Sequence, residues 1–365
     1  MGTLTGAPEP TSAQGRSVRR RVPPMVHAVR LLILGVGVGA IAGTFLSIFN
    51  PASQSTADIS QMTLQGSIAN PAKGESPPML SRLLPGGSHS ATLQRSQELG
   101  ALRSTLQSLL TQNPHLTAGI SLVDLDTGAY VDLNATTSLP AASTIKVPVL
   151  VAFLQAVDAG TLRLDEMLTM EAADVAEGSG EMQYQAVGTQ YSALETAEMM
   201  ITISDNTATN MLIRRLGGAV VLNQRFQSWG MRQTVLNNPL ADLDGTNTTS
   251  SQDLTNLLMV ISQGELLSLR SRDRLMEIMQ GTVADSLIPA GVGDQRAVIA
   301  HKTGTLDHMV GDTGIVDMPN GKRFIVTVLV QRPIDDESAP ELIRQVCTTV
   351  YQYLGQSAVL TPTPQ

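Results

Sequence analysis

Apolar positions along this chain change period several times, and each change marks an element. Residues 31–49 run nineteen in a row without a charge, enough to span the hydrocarbon of a bilayer. Residues 50–90 keep no period and are rich in Ser, Pro, Gly, Gln and Ala, the composition of a flexible tether. A helical pattern then begins near Ala91, with Leu99, Leu102, Leu106 and Leu109 at spacings of three and four, and stops at Asn113-Pro114. Alternation over 117–125, the turn Asp126-Thr127-Gly128 and a return over 129–133 predict a β-hairpin. Val147, Leu150, Val151, Phe153, Leu154 and Val157 belong to a nearly unbroken apolar run ending near Gly160, the pattern of a buried helix.

Residues 161–191 are loop-rich and include Gly178-Ser179-Gly180. Ser192-x-x-Glu195 is a capping box, and the helix it opens carries Leu194, Ala197, Met200 and Ile201 on one face. Further helices are predicted over 207–216, stopped by Gly217-Gly218, and over 219–229, 251–263 and 271–280. Strand texture returns at 297–302, 313–317 and 323–330, with Asn320-Gly321 as the hairpin turn between the last two. An amphipathic helix over 339–354 closes the pattern. This order predicts an α+β fold: an antiparallel sheet flanked by N- and C-terminal helices, with a separate all-helical part and a cleft between the two. The chain thus divides into residues 1–30, an apolar segment 31–49, a flexible linker 50–90, a folded domain 91–356 and a disordered tail 357–365.

Charge sharpens the reading of the N-terminus. Arg16, Arg19, Arg20, Arg21 and Arg30 precede the apolar run with only Glu9 against them, which predicts a cytoplasmic N-terminus and a transmembrane anchor. Ala40-Ile41-Ala42 offers the rival reading of a cleaved signal peptide, but apolar residues continue beyond it through Phe45, Leu46, Ile48 and Phe49. Either way the domain is expected on the extracytoplasmic, periplasmic side, and secreted if cleavage occurs. Gly35, Gly39 and Gly43 form a small-residue stripe on which two such helices could pair as a weak homodimer. The remaining chain carries 19 bases against 31 acids, a balance near −12 that argues against a nucleic-acid partner. Cys347 is the lone cysteine, so no internal disulfide forms. The five histidines show no metal-ligand pairing beyond a loose His301/His308, and neither a metal nor a cofactor is expected.

Three short motifs carry the candidate chemistry: Ser143-x-x-Lys146, Ser204-Asp205-Asn206 and Lys302-Thr303-Gly304. Ser143 and Lys146 stand about one helical turn apart, so hydroxyl and amine would share a face at the start of a helix. A lysine whose pKa burial lowers can accept the hydroxyl proton, which makes the serine an activated nucleophile. The second motif falls in a turn between helices and the third at the end of a strand, facing the nucleophile across the cleft. Lysine usage points the same way. The chain has twenty arginines but only Lys73, Lys146, Lys302 and Lys322, and two of these four sit in the motifs. Arginine serves an ordinary surface but cannot be deprotonated, whereas lysine can act as a base.

With these motifs, and with the run from Met200 to Asn210 and Ala300-His-Lys-Thr-Gly304, residues 96–356 resemble the class A-type serine β-lactamase and penicillin-recognising serine hydrolase family. The resemblance implies a β-lactamase/transpeptidase-like fold and a β-lactam or cell-wall peptide as small-molecule partner. It also implies Ser143 as the acylated nucleophile, Lys146 as its proton acceptor and Ser204 as the relay to the leaving nitrogen. Asn206 would hold the substrate amide or the lysine. Lys302 and Thr303 of the Lys-Thr-Gly304 motif, with Thr305, would bind the substrate carboxylate, and the amides of Ser143 and Thr305 would form the oxyanion hole. One departure is serious. Hydrolytic members carry a glutamate in a loop after the second motif, to activate the deacylating water, whereas residues 234–249 hold no glutamate and place Leu240 near that position. Asp242 and Asp244 are the acids left there to act as a base. Three readings follow: a serine β-lactamase with slow deacylation, a D-alanyl-D-alanine peptidase or esterase on cell-wall peptides, and a non-catalytic penicillin-binding sensor.

Overall fold

A computed structural model describes residues 94–357. The apolar run 31–49, its glycine stripe, the linker and residues 358–365 lie outside the described residues. No helix among the described residues is long and apolar enough to cross a membrane.

Helix α1 (Gly100–Gln112) leads into the hairpin β1 (Thr117–Asp124) and β2 (Tyr130–Leu133), and the short strand β3 (Leu139–Pro140) delivers the chain to a tight turn, Ala142–Ile145. Helix α2 (Lys146–Asp158) follows. A small strand pair, β4 (Met167–Thr169) and β5 (Gln190–Ser192), precedes α3 (Ala193–Thr202), α4 (Asn206–Arg215) and α5 (Gly218–Ser228). After β6 (Thr248–Thr249) come α6 (Ser251–Ser262), α7 (Leu269–Gln280) and α8 (Ile288–Val292). Strands β7 (Val298–Leu306), β8 (Met309–Asp317) and β9 (Arg323–Gln331) and helix α9 (Ser338–Ser357) complete the domain. The five-stranded sheet has the order β2-β1-β9-β8-β7 with every neighbouring pair antiparallel. This is the α+β arrangement that the sequence pattern predicts.

Both faces of the sheet are covered, which explains why β9 reads as an almost continuous apolar run. Phe324, Val326, Val328 and Val330 pack with α1 and α9 residues such as Leu106 and Ile343, while Ile325 and Leu329 join the core of the helical part. Alternate side chains of one strand therefore serve two separate cores. Helix α2 lies within the helical core, with Val147, Leu150, Val151, Phe153 and Leu154 all fully buried. An apolar helix without a polar face has to be buried on every side.

Two expectations shift. The helix expected from Ala91 begins at Gly100, and strands β7 and β8 run to a two-residue turn at Asp307-His308, far past the predicted ends. Gly304, Gly311 and Gly314 mark close approaches in the sheet: a Cβ on Gly314 would lie 2.6 Å from the His301 Cβ, and one on Gly311 2.6 Å from Leu329.

Candidate active site

Strand β7 forms one edge of the sheet, and the Ala142–Ile145 turn packs against it. The contact is too close for a side chain. A Cβ on Gly304 would lie 2.9 Å from Ser143 N and 3.0 Å from Thr144 N. The third motif therefore abuts the first because its glycine permits it. Ser143 itself sits in a tight 3-10 turn, three residues ahead of the first residue of α2 and slightly earlier than the first helical turn predicted for it. Ala142 (φ 44°) and Ser204 (φ 58°) are both non-glycine residues in the left-handed region, backbone strain gathered at the two serines of the site.

The three motifs converge on one hydroxyl. Ser204 Oγ lies 2.9 Å from Ser143 Oγ, 3.1 Å from Lys146 Nζ and 3.1 Å from Lys302 Nζ. Lys146 also donates to Ser204 O (2.7 Å) and Asn206 Oδ1 (2.8 Å), and Lys302 donates to Thr303 O (2.8 Å). Lys146 makes no hydrogen bond to Ser143 among the described residues; the connection runs through Ser204. Thr303 is half-buried and Thr305 exposed along the same strand, and neither hydroxyl has a hydrogen-bond partner among the described residues.

The two lysines are fully buried yet form no ion pair among the described residues. Burial first, and then the charge of Lys302, press the Lys146 pKa well below its usual value, against a partial lift from Asp205. Lys302 is pushed down to about 8 by burial, with the Asp312 carboxylate opposing. Once Lys146 is neutral it no longer repels its neighbour, so the repulsion falls on one lysine only. Of the two, Lys146 carries the added repulsion of its neighbour, which makes it the readier to give up a proton.

Asp205 and Asn206 also build a wall of the cleft. The Asp205 Oδ1 caps α4 through Ala208 N, and its Oδ2 accepts from Glu181 N (2.7 Å) and Met182 N (2.8 Å). Asn206 donates from its backbone to Ser179 O and from Nδ2 to Glu177 O. Gly180, at φ 105°, fits under this clamp because a Cβ would meet the Asp205 carboxyl at 2.2 Å.

The loop 234–249 is tied down by Asn210, one helical turn beyond Asn206. Its carboxamide accepts from Leu240 N (2.9 Å) and donates to Leu240 O (2.5 Å). Ala241 comes to the same place, since the Cβ position of Gly178 lies 4.0 Å from Ala241 Cβ and 3.2 Å from Asn206 Nδ2. Asp242 is engaged inside the loop, accepting from Thr246 Oγ1 and Asn247 N, both at 2.6 Å. Asp244 is exposed and makes no hydrogen bond or ion pair among the described residues. The two histidines part company: His301 pairs with buried Asp312, whereas His308 packs over Gly245 of the loop.

Sequence reasoning gave no role to Asn210, Asp312 or loop 177–182. Asn210 had a readable signal, four residues past Asn206 on one face of α4. The other two become partners only through long-range packing.

A model for the beta-lactamase enzyme family matches residues 101–354 of the chain. The chain is similar to the structure of PBP-A, with 53% identity, 73% of this chain and 100% of that chain covered, and a TM-score of 0.71. It is equally similar to a leucine-to-glutamate mutant of PBP-A solved as an acyl-enzyme complex with penicillin G, with 52% identity, 72% and 99% coverage and a TM-score of 0.70. The extended-spectrum beta-lactamase PER-1 of Pseudomonas aeruginosa is 26% identical over 74% of this chain and 94% of its own length.

Proposed function

The chain belongs to the beta-lactamase enzyme family, in its class A serine and penicillin-recognising group, and from that premise we propose that it opens β-lactams through an acyl-serine at Ser143 and releases the acyl group slowly. The observation that carries this reading is the position of Ser204 Oγ, within hydrogen-bond reach of the Ser143 hydroxyl and of both buried lysines. Neutral Lys146 has a lone pair. A hydroxyl both donates and accepts, so the Ser143 proton passes to Ser204 Oγ while Ser204 gives its own to Lys146.

Ser143 Oγ then bonds to the lactam carbonyl carbon. The amides of Ser143 and Thr305 hold the oxyanion, usually the largest electrostatic contribution to acyl transfer. As the ring C–N bond breaks, the proton returns through Ser204 to the departing nitrogen. Lys302, with the free hydroxyls of Thr303 and Thr305, holds the substrate carboxylate, and Asn206 keeps Lys146 in place and offers its amide to the substrate. Deacylation lacks a comparable group, because Asp242 is held by its own loop and Asp244 points to no partner.

Intact-mass measurement of the protein with penicillin tests this. We expect a single adduct that persists for minutes or longer and is absent from Ser143→Ala, since loss of the nucleophile removes essentially all covalent chemistry. No serine-dependent adduct would overturn the reading. The loop without a placed acid also favours the second reading, a D-alanyl-D-alanine peptidase or esterase, and turnover of a peptide ester by the same protein would select it. An adduct that is never released, with no ester turnover, would leave a penicillin-binding sensor.

A pH dependence follows from the lysines. Lys302 must be charged to hold a carboxylate, and its pKa is about 8, so acylation should fall as pH rises through 8. Lys146 must be neutral, and its lowered pKa favours that form. A stopped-flow profile of acylation from pH 5 to 10 that stays flat across 8 would contradict the role given to Lys302.

The arginine cluster and the apolar run 31–49 support an anchored protein with its catalytic domain on the extracytoplasmic side. Membrane fractionation of the full chain against a version lacking 31–49 checks this.

A further inference from the structure

Lys302 is almost completely buried and pairs with no carboxylate among the described residues, yet burial pushes its pKa down only to about 8. Its hydrogen bonds go to a hydroxyl and a carbonyl, which stabilise an ammonium far less than an ion pair does. Charge support has to come from farther away.

The sheet register shows from where. Lys302 faces Thr313 across the β7–β8 ladder, and Thr313 bonds Thr327, which bonds Thr255 of α6, so this face looks toward the helical part. Thr303 faces Asp312, placing Asp312 on the other face, where it accepts from Ile288 N at the start of α8. His301 shares that face and its Nδ1 lies 3.1 Å from both Asp312 oxygens. Asp312 is fully buried, with no arginine or lysine paired to it among the described residues. The pair lies in a dry layer directly behind the strand that carries Lys302.

A buried carboxylate with no arginine or lysine partner is a costly way to fill a core. Its cost is offset if a cation elsewhere needs its field, which is weakly screened through a low-dielectric layer. From the helical side Lys302 meets the Ser204 hydroxyl and stands in the field of Lys146, while Asp205 acts on Lys146. Those facing Asp312 are His301 and, from α9, the neutral thiol of Cys347. Each lysine thus has its own buried acid.

We propose that Asp312, held by His301, is a positioning residue that keeps Lys302 protonated for the substrate carboxylate. This rests on the proposed role of Lys302, but its test reads Lys302 itself. The chain has only four lysines, so lysine labelled with carbon-13 at Cε gives four resonances, and Lys302→Arg identifies the one of interest. In Asp312→Asn, whose amide oxygen still accepts from Ile288 N, Lys302 should titrate about one unit or more lower. The alkaline limb of acylation should move with it, cutting the rate at pH 8 about fivefold or more and leaving pH 6 little changed. His301→Gln keeps the carboxylate and should leave Lys302 titrating near 8.

An unmoved Lys302 titration in Asp312→Asn overturns the proposal, as does a uniform loss of rate at every pH, which a merely structural role would give. Should that variant not fold, Asp312→Ser replaces it. The unaltered protein also decides: a Lys302 that loses its proton well below pH 8 has no supporting charge behind it. Failure of penicillin to acylate, with the titration shifted as expected, would count against the proposed function and not against this electrostatic link.

Discussion

Lys146→Arg should form acyl-enzyme about 10²–10⁴-fold more slowly than the unaltered protein, although it keeps the positive charge. The loss follows from the proton route, in which Ser204 must hand its proton to a lone pair at Nζ. A guanidinium has none to offer at any accessible pH. Lys146→Met should be equally inactive, and it separates chemistry from folding. Because burial lowers the Lys146 pKa from the ordinary 10.5, the folded chain gives up this proton at a lower pH than the unfolded chain does. That difference opposes folding at neutral pH and fades as pH rises toward 10.5. Removing the amine removes the penalty, so Lys146→Met should melt at a higher temperature than its parent at pH 7. Time courses of adduct mass and thermal melts read both outcomes. Acylation of Lys146→Arg at close to the parent rate would show that Lys146 is not the base.

Leu240→Glu should shorten the life of the penicillin adduct by about 100-fold or more, the usual worth of a positioned general base. Leu240 is 7% exposed, and its backbone is held at both ends by Asn210, whose helix carries the Asn206 carboxamide that binds Lys146. A carboxylate on this residue would therefore enter the site on a fixed backbone, beside an amine able to stabilise it. Burying it should lower stability by about 1–3 kcal/mol. The rate of adduct loss after removal of free penicillin is the measurement. An unchanged lifetime in a folded variant would mean that the missing carboxylate is not what limits release. Asp242→Asn should leave the lifetime unaltered and loosen the loop, because both carboxylate oxygens serve Thr246 and Asn247.

Much of the helical part could be read from local pattern. Ser192 caps α3 as its capping box predicts, accepting from Glu195 N, and Gly217 ends α4 in the left-handed conformation. The β7–β8 hairpin was harder to read. Its three glycines answer to neighbours far away in sequence, the Ser143 turn, Leu329 and His301, and a local window cannot see them. The same limit applied to Lys146. One-turn spacing suggests a direct contact with Ser143, but the amine reaches Ser204 and Asn206 instead, because the nucleophile sits in a 3-10 turn that shifts it off the helix face.

By itself the sequence determined which side chains have the right chemistry. Three ordered motifs, two of four lysines placed within them, and a loop with no glutamate are properties of residue identity, and they survive any folding. Protonation was beyond its reach. Whether Lys146 is neutral, whether Lys302 is charged, and whether Asp242 is available or engaged depend on burial and on partners up to about a hundred residues away. A pKa is set by the medium and charges around a group, and only tertiary structure supplies those.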